Sequence, residues 1–187
     1  MQEPPEKIYV DAQTLLVNSV KLARMVWENR FFPTVLVSVW RGGTVPGIAV
    51  DEFFQRHGQC LHHTVIKAQS YDGMERGKIG VELEGLEDIA ADVEPGDRLL
   101  VIDDVFDTGH TMAAIMNEIT SITGAGAPEC RSAVVYYKPA NNKTELEPSY
   151  YVVADDRWIV FPHEIIGLAN EDLQCNREEL YAAALRD

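Results

Sequence analysis

The sequence predicts an α/β protein in which a mostly parallel, twisted sheet is flanked by helices. Apolar, β-branched runs typical of buried strands alternate along the chain with segments of helical spacing. The chain has 187 residues, enough for one α/β domain with a sizeable core. No repeat, low-complexity tract or linker interrupts it, so we expect a single domain over residues 1–187.

The first half of the chain predicts two helices and several strands. Asp11 can cap the first helix, whose apolar residues recur at helical spacing as far as Val26. The elements expected next are a strand at 34–40, a helix at 45–54, a strand at 64–68 and a strand at 98–103. Residues 70–78, with two glycines, predict a polar loop.

The second half of the chain continues the alternation. A helix is expected from Thr111 to near Gly124, followed by strands at 132–138 and 149–154. Asn176 with Glu179 resembles a capping box and predicts a last helix that ends at Leu185. Residues 81–97 hold seven carboxylates and no Lys or Arg, and we interpret them as a solvated face or loop.

Charge and cysteine content narrow the classes of function. The formal net charge is −14, which argues against a nucleic-acid partner because duplex binding needs a basic surface. The same charge means that an anionic substrate would need local cations, and Mg²⁺ is expected. The cysteines are few and far apart, which predicts a reduced, cytoplasmic protein; they are Cys60, Cys130 and Cys175. No apolar run has the length of a membrane span.

The most informative segment is residues 101–112, with the sequence Val-Ile-Asp-Asp-Val-Phe-Asp-Thr-Gly-His-Thr-Met. A predicted strand ends in Asp103 and Asp104, and a glycine-bearing turn then leads into a helix. Ligands bind at the carboxyl ends of strands in open α/β sheets, and a helix N-terminus there attracts phosphate. Two carboxylates suit the vicinal hydroxyls of ribose. The segment therefore predicts a ribose-5-phosphate site.

Other interpretations of this segment exist. Asp107-Thr108-Gly109 matches the catalytic triplet of aspartic proteases, but that triplet belongs to a β-rich fold. Paired aspartates also occur in receiver domains, which need a further Asp and a Lys at other strand ends. Asp104 or Asp107 could simply cap a helix, which would leave the other two carboxylates unexplained.

The segment resembles the phosphoribosyl pyrophosphate (PRPP) motif of type I phosphoribosyltransferases, which is four apolar residues, two acidic, two apolar, then Asp-Thr-Gly-x-Thr. The resemblance implies the type I fold, with a small hood over its sheet. It implies that Asp103 and Asp104 hold the ribose and its cationic transition state, and that Asp107 takes a proton from the base. The 5′-phosphate would bind to Thr108, Gly109, His110 and Thr111, with the backbone N–H of His110 mattering more than its ring.

A second segment, residues 39–47, resembles the pyrophosphate loop of purine phosphoribosyltransferases of the bacterial xanthine-guanine type. Gly42 and Gly43 permit a close approach of backbone to a ligand, and Arg41 offers a fork of donors to phosphate oxygens. Without the resemblance, Arg41-Gly42-Gly43 would be interpreted as a tight turn with an Arg on the surface. The resemblance implies that Arg41 stabilises the leaving pyrophosphate and that the peptide bond Arg41–Gly42 is cis.

The purine side of the site is also implied by the resemblance. Lys138 would donate to the purine O6, Trp158 would stack on the base, and the backbone carbonyl of Ile159 would face the base edge. Ser70 and Tyr71 resemble the Ser-Tyr pair of the hood that closes over the substrates. Without the resemblance, these residues are a strand-end Lys, a core aromatic and a mobile loop.

The metal is expected to be Mg²⁺, held by Asp103, Asp104 and Glu164. Glu164 stands where the xanthine-guanine type has an Asp near the metal, and His163 stands where a Trp is usual.

The activity implied is transfer of the 5-phosphoribosyl group from PRPP to hypoxanthine, guanine or xanthine in purine salvage, by a homodimer or homotetramer. One alternative is a PRPP-sensing regulator that binds nucleic acid, for which the acidic chain offers no basic face. The other is a pyrimidine or orotate phosphoribosyltransferase, which the pattern of Lys138 and Trp158 opposes. Neither a nucleic acid nor a membrane is expected as a partner.

Overall fold

The computed structural model describes residues 6–72, 79–87, 89, 93–94, 96–124 and 127–185. The chain divides into two compact units. The smaller is made of Met1–Leu15 and Arg157–Asp187, and the larger is Leu16–Asp156. One domain over 1–187 stays a prediction.

The described residues form most of the predicted strands and helices, together with a strand at 79–84 and short elements near both ends of the chain that were not predicted. In chain order they are β1 (Lys7–Tyr9), α1 (Ala12–Glu28), β2 (Val35–Trp40), α2 (Thr44–Arg56), β3 (His62–Asp72), β4 (Ile79–Glu84), β5 (Arg98–Phe106), α3 (His110–Thr123), β6 (Glu129–Tyr137), a 3₁₀ turn (Pro139–Asn141), β7 (Tyr150–Ala154), β8 (Trp158–Val160), α4 (Asn170–Asn176) and α5 (Glu178–Leu185). None of the helices in the part of the chain that the structure describes is long and apolar enough to cross a membrane.

The larger unit is built on a six-stranded sheet with the order β4-β3-β2-β5-β6-β7. All neighbouring strands are parallel except β3 and β4, which are antiparallel. The predicted fold class, a mostly parallel sheet flanked by helices, is confirmed. Because β2, β5 and β6 are adjacent and parallel, the loops after their carboxyl ends meet at one edge of the sheet.

The core explains why these strands lie at the centre. Residues 99–102 of β5 are fully buried, and β2 is buried from Val35 to Val39. Such continuous apolar runs are typical of parallel strands covered on both faces. Helix α2 packs closely on β2, because a β-carbon on Gly47 would overlap the buried hydroxyl of Ser38. This close packing fixes the start of α2 and the loop that precedes it.

The prediction of a polar loop at 70–78 is wrong for its first residues. Strand β3 continues to Asp72, and Ser70 and Tyr71 pair with Val81 and Gly80 of β4. The backbone N–H and C=O groups of this part of β3 are hydrogen-bonded to β4, which runs into the acidic segment. A local sequence pattern does not show that the two strands pair. Residues 73–78 lie outside the described residues. Glu82, Glu84 and Glu87 are exposed, as the solvated-face interpretation predicts.

The smaller unit joins the two ends of the chain. Strands β1 and β8 form a parallel pair that the sequence pattern did not predict. Asp172 of α4 accepts hydrogen bonds from Lys7 Nζ at 2.7 Å and Tyr9 Oη at 3.1 Å, and these bonds hold the pKa of Asp172 below its ordinary value. Arg177 donates to the carbonyls of Val10 and Val160 at 2.6 and 3.1 Å.

Candidate active site at the carboxyl edge of the sheet

The acidic pair lies near the carboxyl end of β5, which continues two residues beyond it to Phe106. The backbone N–H groups of Asp104 and Gly43 donate to the carboxylate of Asp103, the first at 2.9 Å. Burial, with the adjacent charge of Asp104, raises the pKa of Asp103 well above its usual range. Asp104 is itself buried. Two crowded carboxylates of this kind suit a cation or the hydroxyls of a sugar.

The Arg41–Gly43 loop follows β2 and lies against this acidic pair. A β-carbon on Gly42 would overlap the carboxylate of Asp104, and one on Gly43 would overlap the carbonyl of Ile102. The space that the two glycines leave is therefore filled by β5 itself. The exposed Arg41 accepts at its carbonyl from the hydroxyl of Thr44, 2.6 Å away, which ties the loop to α2.

A cis peptide bond is present in this segment, but one residue earlier than predicted. It joins Trp40 to Arg41, so the prediction of a cis bond at Arg41–Gly42 is wrong. The resemblance implied a cis bond in this segment, but motif spacing does not determine which peptide bond is cis. The bond is placed between the last strand residue and the first loop residue.

The predicted phosphate loop connects β5 to the start of α3. Gly109 has φ 83°, a left-handed conformation that favours glycine, and α3 begins at the next residue, His110. The first N–H groups of a helix have no intrahelical acceptor, and Gly109 has no side chain that could cap them. These groups, together with the hydroxyls of Thr108 and Thr111, can bind an anion.

The segment after β6 packs on the phosphate loop. A β-carbon on Gly109 would lie 2.5 Å from Thr144 Oγ1 and 2.8 Å from Asn142 Oδ1. The backbone N–H of Lys143 donates to the carbonyl of Thr108 at 2.9 Å. Glycine at position 109 is therefore required both for its conformation and for this packing.

Asp107 and Lys138 form an ion pair beside the phosphate loop. Lys138 Nζ lies 2.9 Å from Asp107 Oδ2, and the backbone N–H of Lys138 donates to the carbonyl of Phe106 at 2.9 Å. The Lys138 side chain is 12% exposed and the Asp107 side chain 40% exposed. Asn141, which the sequence analysis did not select, donates from Nδ2 to Asp107 Oδ1. No local pattern marks Asn141, because the 3₁₀ turn brings it to Asp107.

The structure thus brings together most of the predicted site residues at one edge of the larger unit. They are Arg41, Gly42, Gly43, Asp103, Asp104, Asp107, Thr108, Gly109, His110, Thr111 and Lys138. Ser70 and Tyr71 lie on β3, whose carboxyl end is at the same edge. Their closure over a substrate stays a prediction.

The remaining predicted residues belong to the smaller unit. Trp158 is 43% exposed, and Lys7 Nζ lies 5.1 Å from the centre of its ring. The β1–β8 ladder uses the N–H of Trp158, which donates to Glu6, and the carbonyl of Val160, which accepts from Val10. Because a parallel ladder alternates, the backbone groups of Ile159 point to the opposite edge. Glu164 Oε2 accepts from the N–H of Phe161 at 2.9 Å.

No cluster of three or more metal-ligating side chains occurs among the described residues. Among the described residues, the acidic pair offers two adjacent carboxylates at this edge. Glu164 as a third metal ligand stays a prediction.

Comparison with known proteins agrees with this geometry. The phosphoribosyl transferase domain family matches residues 7–165. A xanthine-guanine phosphoribosyltransferase of Idiomarina loihiensis is 31% identical over 144 residues, which cover 73% of this chain and 78% of that protein. The chain belongs to the phosphoribosyltransferase family, and its fold is the type I fold.

Two solved structures share this fold. The purine phosphoribosyltransferase of Pyrococcus horikoshii is 27% identical, with a TM-score of 0.65 and coverage of 87% of this chain and 97% of that one. A Neisseria gonorrhoeae protein with bound ppGpp has a TM-score of 0.73 at 18% identity, covering 89% of this chain and 93% of that one. The second shows likeness of fold alone.

Proposed function

We propose that the protein transfers the 5-phosphoribosyl group from PRPP to a 6-oxopurine, giving a nucleoside monophosphate and pyrophosphate in purine salvage. The observation that carries the proposal is the pairing of Lys138 with Asp107 beside the phosphate loop. In the proposal, Lys138 is the donor to the 6-oxo group and Asp107 is the neighbouring carboxylate that accepts the proton of the purine. Relatives named xanthine-guanine and purine phosphoribosyltransferase support the same substrates.

PRPP is held by groups from two neighbouring loops. The N–H groups at the start of α3, with Thr108 and Thr111, bind the 5′-phosphate. Asp103 and Asp104 accept hydrogen bonds from the ribose hydroxyls, and their charge stabilises the ribose as it becomes oxocarbenium-like. Arg41 and the backbone of Gly42 and Gly43 bind the pyrophosphate and stabilise its developing charge.

The acidic pair fits a divalent cation, because burial and the neighbouring charge of Asp104 raise the pKa of Asp103, and a positive ion offsets both effects. Asp103 and Asp104, with Glu164 as a further ligand, would hold Mg²⁺. When bound, Mg²⁺ supplies positive charge that neutralises the pyrophosphate. Because Glu164 Oε2 accepts from the N–H of Phe161, the other oxygen, Oε1, is the proposed ligand.

The purine attacks the anomeric carbon through a ring nitrogen. The bond from that carbon to the pyrophosphate oxygen breaks with its electron pair, the new carbon–nitrogen bond forms, and Asp107 takes the proton from the purine. Lys138 donates to O6, Trp158 stacks on the ring, and the carbonyl of Ile159 accepts from the base edge. The hood residues Ser70 and Tyr71 exclude water from the cationic ribose.

The setting of the enzyme is part of the proposal. Cys60 and Cys175 are exposed and unpaired, and burial raises the pKa of the unpaired Cys130 to about 12, which is consistent with a reducing cytoplasm. A homodimer or homotetramer is supported by the exposed apolar side chains of Val45 and Ile48 on α2. Light scattering after size exclusion measures the oligomeric state directly.

The test is formation of nucleoside monophosphate and pyrophosphate from PRPP, Mg²⁺ and each of hypoxanthine, guanine and xanthine. Product from at least one base is expected with the parent protein, and EDTA should abolish it. The matched control is Asp107→Asn at the same concentration. No product from any of the three bases would contradict the proposal.

A further inference from the structure

The carboxylate of Asp107 is held from two sides. Lys138 Nζ donates to Oδ2 at 2.9 Å, and Asn141 Nδ2 donates to Oδ1. Lys138 is the more buried of the two donors, and its partner in the proposed reaction is the purine O6. Asn141 is exposed and has no part in the proposed recognition of either substrate. When a purine binds, Lys138 therefore gains a new acceptor, whereas Asn141 keeps Asp107 as its acceptor.

The backbone at Asn141 is fixed by the turn that carries it. The N–H of Ala140 donates to Asp156 Oδ1 at 2.8 Å, and the N–H of Asn141 donates to the carbonyl of Lys138 at 3.2 Å. The same turn is tied to β5 through the bond from Lys138 N–H to Phe106. The amide of Asn141 is thus presented to Asp107 from a turn that is closed by its own hydrogen bond and anchored at two points.

If Lys138 were the only donor to Asp107, the carboxylate would be free to rotate once Lys138 left it, because the terminal torsion of Asp is broad. In the proposed reaction one of the three N–H donors of Lys138 turns to O6 when the purine binds, and Asp107 Oδ2 becomes available to the proton of the base. A proton acceptor is effective only when it is held in hydrogen-bonding geometry with the proton it takes. The second donor is what can keep the freed oxygen aimed at the purine.

We propose that Asn141 is a positioning residue, which holds Asp107 Oδ1 so that Oδ2 becomes the proton acceptor when Lys138 moves to the 6-oxo group of the base. This inference rests on the proposed function. It also couples recognition to catalysis, since a base without a 6-oxo acceptor leaves Lys138 on Asp107. Adenine is then disfavoured in two ways: Lys138 does not bind it, and Asp107 does not become available to take its proton.

The hydrogen bond between Asn141 and Asp107 is tested by thermal stability, without an activity assay. Asn141→Ala should lower the melting temperature of the parent by about 2–4 °C, because it removes a hydrogen bond to a charged group. The same substitution in an Asp107→Ala background should have no effect, since the acceptor is already absent. Equal shifts in the two backgrounds would show that Asn141 does not contact Asp107 and would overturn the inference.

The role in the reaction is tested by steady-state kinetics with guanine. Asn141→Ala should lower kcat by about ten- to a hundredfold while KM for PRPP changes by less than about twofold. Asn141→Gln, which keeps the amide donor, should recover part of the loss. Glu147→Ala, an exposed change in the same connection between β6 and β7, should match the parent.

The two proposals fail differently. A parent that forms nucleotide, with an Asn141→Ala variant of equal kcat or with a loss confined to KM for PRPP, would overturn the role of Asn141 alone. A parent that forms no nucleotide from hypoxanthine, guanine or xanthine would overturn the proposed function, and the role of Asn141 with it.

Discussion

Gly42 lies against the carboxylate of Asp104, so closely that a β-carbon at position 42 would overlap both of its oxygens. The contact joins the loop after β2 to the acidic pair of β5, two segments far apart in the sequence. Neighbouring parallel strands bring them together. In the proposed reaction, this contact places the pyrophosphate loop beside the group that holds the ribose.

Gly42→Ala should therefore disable the site without unfolding the protein. We expect kcat/KM for PRPP to fall by about two decades or more, because the added methyl displaces Asp104 or the loop by about 1 Å. Gly124→Ala is the control: Gly124 has φ 58° and open space around it, so its substitution should lower the melting temperature and leave kcat/KM unchanged. Parent-like kinetics of Gly42→Ala would show that the close approach is dispensable.

Asp103→Asn should stabilise the ligand-free protein in EDTA at neutral pH. The folded protein binds the Asp103 proton more tightly than the unfolded chain does, so this carboxyl contributes stability below its ordinary pKa of 3.8, and the contribution is lost as pH rises. We expect the melting temperature at pH 7.5 to rise by about 2–4 °C for each kcal/mol of repulsion removed. The gain should shrink toward pH 4, and PRPP binding should be lost.

Asp97→Asn is the matched control for that measurement, with the opposite sign. Hydrogen bonds from Thr34 and the N–H of Glu94 hold the pKa of Asp97 below its ordinary value. Its contribution to stability is present above pH 3.8 and lost as pH falls, so the substitution should lower the melting temperature at pH 7.5. If Asp103→Asn also lowered the melting temperature at pH 7.5, burial of Asp103 beside the charge of Asp104 would be ruled out as a source of instability.

Asp107→Asn should separate binding from turnover. In the sequence Asp107 lies between the acidic pair and the phosphate loop, and its side chain contacts Lys138 and Asn141. PRPP affinity should therefore stay close to that of the parent, while kcat falls by roughly two to four decades through loss of the general base. Calorimetry with PRPP and steady-state kinetics measure the two effects. Turnover within a few-fold of the parent would remove the assignment of Asp107 as the base.

Much of the fold could be predicted because buried parallel strands have continuous apolar runs. The strand predicted at 34–40 is β2, Val35–Trp40, and the helix predicted from Thr111 is α3, His110–Thr123. Strands β1 and β8 have three residues each, too few to show a period of two. The continuation of β3 to Asp72 depends on pairing with β4, which is not a local property.

Part of the candidate site could be predicted from the sequence, and part of it could not. The acidic pair and the phosphate loop lie within one motif, so their spacing predicts their position. Asn141 reaches Asp107 through a turn in a different segment, and the space beside Gly42 depends on the pairing of β2 with β5. Such contacts are set by the tertiary fold, and a sequence pattern does not contain them.

The choice of base tests the central claim most directly. The kinetics of hypoxanthine, guanine, xanthine, adenine, uracil and orotate should be measured in one panel, with PRPP and Mg²⁺. Lys138 is a donor without acceptor capacity, so guanine or hypoxanthine should be used well, and adenine should have a kcat/KM lower by several decades. Xanthine should be poorer than guanine, because its 2-oxo group would face the carbonyl of Ile159. Adenine turned over as efficiently as guanine, or a preference for orotate or uracil, would contradict both the role of Lys138 and the 6-oxopurine assignment.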